Sequence, residues 1–73
     1  VTPAKLASKL RLVRERAGLS ESEFARRIGV ENRTSISGYE RGEREPPLPV
    51  LLNYARLAKI SVELLIDDAL DVA

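Results

Sequence analysis

Apolar residues along this chain recur three and four positions apart, and nowhere do they alternate at every second position. That spacing predicts helices and no strands. Leu6, Leu10, Val13 and Ala17 fall on one side of a first helix over residues 3 to 17. Thr2 followed by Pro3 suits its opening: threonine accepts from the unpaired first-turn amides, and proline lacks the amide that would go unsatisfied. Gly18 stops the helix in a left-handed residue, and Leu19 folds back over its last turn. Ser20 and Glu23 then form the S-x-x-E pattern of a capping box, so a second helix starts at Glu21. Phe24, Ala25 and Ile28 make its apolar face, and Gly29 ends it. Asn32 offers the N-cap of a third helix, with Ile36 and Tyr39 on its inner side and Gly42 closing it.

From Glu43 to Pro49 the periodicity disappears and three prolines appear, which predicts an exposed, stiff connection. Leu48, Leu51, Leu52, Ala55 and Ala58 then recur at helical spacing and give a fourth helix ending near Ala58 or Lys59. Ser61 caps a fifth, with Val62, Leu65, Ile66 and Ala69 expected inward. The pattern therefore predicts an all-α fold of five short helices. Residues 1–66 form the domain, and an acidic tail occupies 67–73.

Composition narrows what such a bundle can do. Seventy-three residues give room for one domain, so a two-domain enzyme is excluded. With no Cys and no His there is no disulfide, zinc site or haem ligand, and a core this small must hold by Leu, Ile, Val and Ala packing. No cofactor, metal or small-molecule ligand is expected. The missing cysteine fits a reducing cytoplasm. No apolar run reaches the length of a membrane span or signal peptide, so the chain reads as soluble and untargeted. It starts at Val1 and has no Met, as an excerpt of a longer protein would. The net charge of +1 hides an asymmetry: residues 1 to 45 carry +3 and residues 46 to 73 carry −2. A phosphate-binding face and ordinary solvated charge explain that bias about equally well.

Two short helices joined by a tight glycine-containing turn match the helix-turn-helix, whose second helix projects into the DNA major groove. At about 100° per residue, Arg33, Thr34, Ser37 and Gly38 share an arc of roughly 140° on the third helix, opposite Ile36 and Tyr39. A polar outer face is what any surface helix shows. This one lacks the Glu and Lys that normally solvate a helix, and its short residues let the backbone come near base edges.

The sequence resembles the Cro/C1-type (XRE-type) helix-turn-helix regulators, a family that includes phage repressors. The matching residues are Leu10, Arg14, Gly18-Leu19-Ser20, Glu23-Phe24-Ala25, Ile28-Gly29-Val30, Ile36-Ser37, Tyr39-Glu40-Arg41-Gly42, Pro46, Leu51, Ala55, Ile60-Ser61 and Leu65. The resemblance implies a five-helix phage-repressor-like DNA-binding fold in which helices 2 and 3 form the motif and Asn32 to Glu40 is the reading helix. It implies that Arg33, Thr34, Ser37 and Gly38 face base edges, with Arg33 able to make two hydrogen bonds to guanine O6 and N7. Gly38 has no side chain with which to read. Asn32, Arg41 and Arg44 are implied phosphate contacts, which fix register without reading sequence. Arg44 stands between Glu43 and Glu45, where a local ion pair competes. Arg14 and Glu40 match a pair that joins the first helix to the end of the third; its role is structural, and Arg14 also has the reach for a phosphate.

Three positions depart from the family pattern. Glu21 replaces a Gln that commonly bonds a phosphate, which a carboxylate would repel. The turn between helices 2 and 3 is one residue longer than usual, with Glu31 as the extra. Lys59 stands where a Gly often ends the fourth helix, at a modest conformational cost.

The implied function is a bacterial or phage-type transcription regulator that binds palindromic double-stranded DNA as a homodimer, with half-sites about 34 Å apart. Leu64, Leu65, Ile66, Leu70 and Val72 are candidates for the dimer surface, although core packing also accounts for Leu65 and Ile66. The alternative is an antitoxin-like or anti-repressor interaction module on the same fold, which Glu21, Glu31, Asp67, Asp68 and Asp71 favour slightly. An enzyme is rejected: there is no His, no Cys and no glycine-rich phosphate loop, and a domain this small has little room for a pocket.

Overall fold

The computed structural model describes residues 4–30 and 32–70. They form α1 (Leu6–Ala17), α2 (Glu21–Ile28), α3 (Arg33–Arg41), α4 (Leu48–Ala58) and α5 (Glu63–Ile66), with no strand among the described residues. The fold is the expected all-helical one. Each boundary has a local cause. Ser20 Oγ accepts from the Glu23 amide while the Glu23 carboxylate accepts from the Ser20 amide, so the capping box is closed from both sides. These hydrogen bonds to Ser20 hold the Glu23 carboxyl below its usual range. At the other end of α2, Gly29 takes φ +77° and the Val30 amide donates back to the Ala25 carbonyl at 2.8 Å. That left-handed turn re-aims the chain toward α3. Glu31, the expected extra turn residue, lies outside the described residues.

Lys59 closes α4 in the same way without being glycine. Its φ is +58°, the one positive value for a non-glycine among the described residues, and the Ile60 amide returns to the Ala55 carbonyl. Left-handed backbone brings the Cβ of an L-residue close to the following carbonyl oxygen, so this position is strained.

The core is filled from every helix: Leu6, Leu10 and Val13 from α1; Phe24, Ala25 and Ile28 from α2; Ile36 and Tyr39 from α3; Leu51, Tyr54 and Ala55 from α4; Leu65 from α5. Each large apolar side chain so buried contributes about 1.5 to 3 kcal/mol relative to exposure. Helix α3 packs against both α1 and α2, which therefore hold it from two sides.

Several sequence expectations need correction. Helix α1 starts at Leu6, with Ala4 and Lys5 in a turn, and the proposed Thr2–Pro3 cap lies outside the described residues. The turn before α1 is held by α5's side of the fold, where the Asp68 carboxylate accepts from the Ala4 and Lys5 amides at 2.9 and 3.1 Å. These bonds lower the Asp68 carboxyl below its usual range. In return, Lys9 Nζ donates to the Leu64 and Asp67 carbonyls, where α5 ends. Residues 67–70 thus lie against α1. On α4, Leu48 and Leu52 are exposed, at 68% and 39%, and the inward position belongs to Tyr54. On α5, Leu65 is fully buried while Ile66 and Ala69 are exposed.

Candidate nucleic-acid interface

The outer side of α3 gathers most of the residues singled out from the sequence. Arg33 and Thr34 are exposed and Ser37 is half-buried, and together with Arg41 and Glu21 they line one open cleft. Ser37, Arg41 and Glu21 also border a neighbouring cleft with Arg11, Arg14 and Glu40. Arg41 lies about 80° around the helix from Arg33, inside the arc of the candidate base-facing residues. It therefore sits between the two clefts, beside the expected base-facing residues.

Asn32 caps α3 as expected, its Oδ1 accepting from the Thr34 and Ser35 amides at 3.0 and 3.3 Å. The carboxamide oxygen is thereby occupied by the helix, and the Nδ2 donors remain for an external acceptor.

Gly38 occupies a different environment from its three companions. It is buried, and a Cβ at this position would stand 2.9 Å from Arg44 Cδ and 3.1 Å from Arg44 Cγ. The Gly38 carbonyl accepts from the Glu43 and Arg44 amides. The chain after α3 doubles back and lays the Arg44 methylenes over the helix, so a side chain at position 38 would have to displace them. Arg44, itself exposed, presents its charge where Gly38 has none.

Beneath α3 the expected ion pair is present. Arg14 Nε and Nη2 donate to the two carboxylate oxygens of Glu40 at 2.7 and 3.0 Å, and Nη1 donates to the Leu19 carbonyl at 3.0 Å. The side chains are only 16% and 5% exposed. Charge-assisted, two-pronged bonds of this kind are the strongest that proteins make, and the one to Glu40 raises the Arg14 guanidinium above its usual value. The arrangement fastens α1 and the α1–α2 turn to the end of α3. All three prongs of the Arg14 fork point into the fold.

Three contributors had no signal in the apolar pattern. Asn53 Nδ2 donates to the Ile28 carbonyl at 3.0 Å, fixing α4 against the last turn of α2. Tyr54 packs on Phe24 with ring centroids 4.7 Å apart, yet its buried hydroxyl has no hydrogen-bond partner among the described residues. Burial, and then the nearby Glu40 carboxylate, push its ionisation far above the ordinary phenol value. The third is a group of arginines, Arg26, Arg27 and Arg56, on the outer side of α2 and α4. Asn53 and Arg56 stand three apart on one helix, a spacing that places them on a common face.

A short α2 ending in the left-handed Gly29, and an α3 held up by its neighbours with a polar outer side, define a helix-turn-helix domain. Residues 10–65 match the helix-turn-helix family model, and the chain belongs to that family, in its Cro/C1 (XRE) group. Among curated proteins it is similar to the HTH-type transcriptional regulator ImmR of Bacillus subtilis, with 31% identity over 61 residues. The match takes in 84% of this chain and 47% of ImmR, so the chain spans about half the length of that relative. Among solved structures it is similar to the restriction-modification controller protein C.AhdI from Aeromonas hydrophila, with TM-score 0.74 and 33% identity over 84% of this chain and 91% of that one. It is also similar to the N-terminal DNA-binding domain of SinR from Bacillus subtilis, with TM-score 0.77 and 26% identity over 88% and 93% of the two chains.

No helix among the described residues is long and apolar enough to cross a membrane.

Proposed function

We propose that the chain is the operator-reading domain of a regulator, which inserts α3 into the major groove of a palindromic site and acts as a homodimer in the cytoplasm. The observation that carries this reading is the set of exposed Arg33, Thr34 and Arg41 with half-buried Ser37 on a helix anchored from behind by Arg14–Glu40. A reading helix must be both presented and immobilised, and the buried fork does the second while the open side does the first. Arg33 donates to a guanine edge, and Thr34 and Ser37 make shorter-range contacts with bases. Asn32 Nδ2, Arg41 and Arg44 hold phosphates. Arg44 takes the place on this face that Gly38 leaves without a side chain, and Arg14 serves as an anchor.

For the dimer, α5 and the segment after it supply apolar surface, with Ile66 38% and Leu70 37% exposed. The role is one of binding and not of catalysis, in keeping with a sequence that has neither His nor Cys.

A protein-interaction role for the same fold is favoured by one observation. Glu21 is half-buried and borders both clefts of the reading side, where its charge opposes a phosphate.

Titration against random-sequence and selected duplexes at two salt concentrations separates the two. A regulator selects a palindrome and binds with marked salt dependence. Failure to bind any duplex at low salt overturns the DNA reading.

A further inference from the structure

A cluster of exposed arginines lies beside α3. Between α2 and α4 there is a hollow in which Arg26, Arg27, Asn53 and Arg56 stand over Ile28 and Leu57. Arg26 also borders a second hollow, shared with Ser22, Asn32 and Arg33 at the start of α3. Arg33, Arg26, Arg27 and Arg56 thus form one continuous track leading away from the N-terminal end of α3. All four are exposed.

No carboxylate lines either hollow among the described residues. The Glu23 carboxylate feels Arg26 and Arg27 and is held in the capping box with Ser20. The reading side differs, since Glu21 borders both of its clefts.

We propose that this track is a second phosphate-binding surface, which takes the sugar-phosphate backbone of duplex DNA flanking the site read by α3. It rests on the DNA-binding reading above. The charge is carried wholly by arginine, whose planar fork matches phosphate oxygens two at a time. The track draws on three helices, with Arg33 from α3, Arg26 and Arg27 from α2, and Arg56 from α4. Its position decides the partner: Arg26 shares a hollow with Asn32 and Arg33, so a duplex seated on α3 brings its own backbone to the head of the track. Little apolar surface is open in the hollow, since Ile28 is buried and Leu57 half-buried.

The test compares the chain with its R27A/R56A variant on two duplexes, the selected operator alone and the same operator with ten or so added flanking base pairs. Both substituted residues are exposed, and a melting curve checks that the fold is kept. The wild-type chain is expected to bind the flanked duplex about tenfold more tightly at low salt. The variant is expected to lose that gain, to bind the bare operator within about twofold of wild type, and to show a log-affinity against log-salt slope shallower by about two on the flanked duplex alone. Equal losses on both duplexes, or no loss on either, overturn the proposal. So does a pair of chains that differ only in binding an acidic polypeptide such as polyglutamate. A wild-type chain that binds neither duplex overturns the DNA reading itself, whereas one that binds both equally well overturns the flanking track alone.

Discussion

The two sides of the nine-residue α3 share one backbone, yet they face opposite physical demands. The inner side carries Ile36, Tyr39 and Glu40, all withdrawn from water, with Glu40 locked to Arg14. The outer side carries Arg33, Thr34, Ser37 and Arg41, for which no ion pair is found among the described residues. The inner side serves stability, and the proposed recognition falls to the outer side. A substitution on one side should therefore register in an unfolding experiment and one on the other in a binding experiment, with little overlap.

The largest effect should come from the inner side. Glu40→Ala leaves the Arg14 guanidinium charged and enclosed, and is expected to destabilise the fold by about 3 to 5 kcal/mol in urea unfolding. The paired replacement Arg14→Met with Glu40→Leu should be markedly milder than either single change, because no orphaned charge remains. If Glu40→Ala unfolds at the wild-type urea concentration but loses DNA, the division between the two sides fails.

On the outer side, Arg33→Ala is expected to cost about 1 to 3 kcal/mol of discrimination between the selected operator and one altered at a single base pair. Its unfolding free energy should stay within about 0.5 kcal/mol of wild type. Arg41→Ala should instead weaken all duplexes alike and reduce the salt slope by about one. Identical behaviour of the two variants would mean that reading and positioning are not separable on this face.

Further from α3 the effects shrink and one changes sign. Tyr54→Phe removes a buried hydroxyl that has no partner among the described residues, and should raise stability by about 1 kcal/mol without altering DNA affinity. Lys59→Gly relieves the left-handed strain at the end of α4, partly offset by the extra freedom of glycine in the unfolded chain. A gain of about 0.5 kcal/mol in thermal unfolding is expected.

The smallest effect concerns pH. The folded-state values of Asp68 and Glu23 lie below their ordinary ones, each held down by hydrogen bonds to amides or a hydroxyl. Their stabilisation is complete above the usual carboxylate range and is lost as pH falls through the lowered values. Asp68→Asn should therefore flatten the acid side of the stability profile and leave the alkaline side unchanged.

Much of this was legible in the chain because local rules fix it. The capping box of Ser20 and Glu23 is closed by residues three apart, and Gly29 and Gly42 end helices through their own backbone freedom. Arg14 and Glu40 are 26 positions apart, and their pairing was reachable only through the family resemblance. The structure then gave it a geometry, including the third prong to Leu19.

What the apolar pattern misjudged was which side of a helix is covered when several partners compete. Leu48 and Leu52 have the hydrophobicity of core residues, but α4 packs through Leu51, Tyr54 and Ala55, and its half-buried Asn53 bonds α2. Gly38 read as a gap in the recognition face because its coverage by Arg44 depends on how the following loop folds back. The arginine track was invisible for a related reason: Arg26 and Arg56 come from different helices, and only their packing joins them. The sequence by itself determined the helices, their caps and the chemical character of α3, since hydrogen bonding and periodicity act over a few residues. The tertiary structure decided which charges are buried, which are shared between helices and which face outward, because burial is set by neighbours that the chain brings together only on folding.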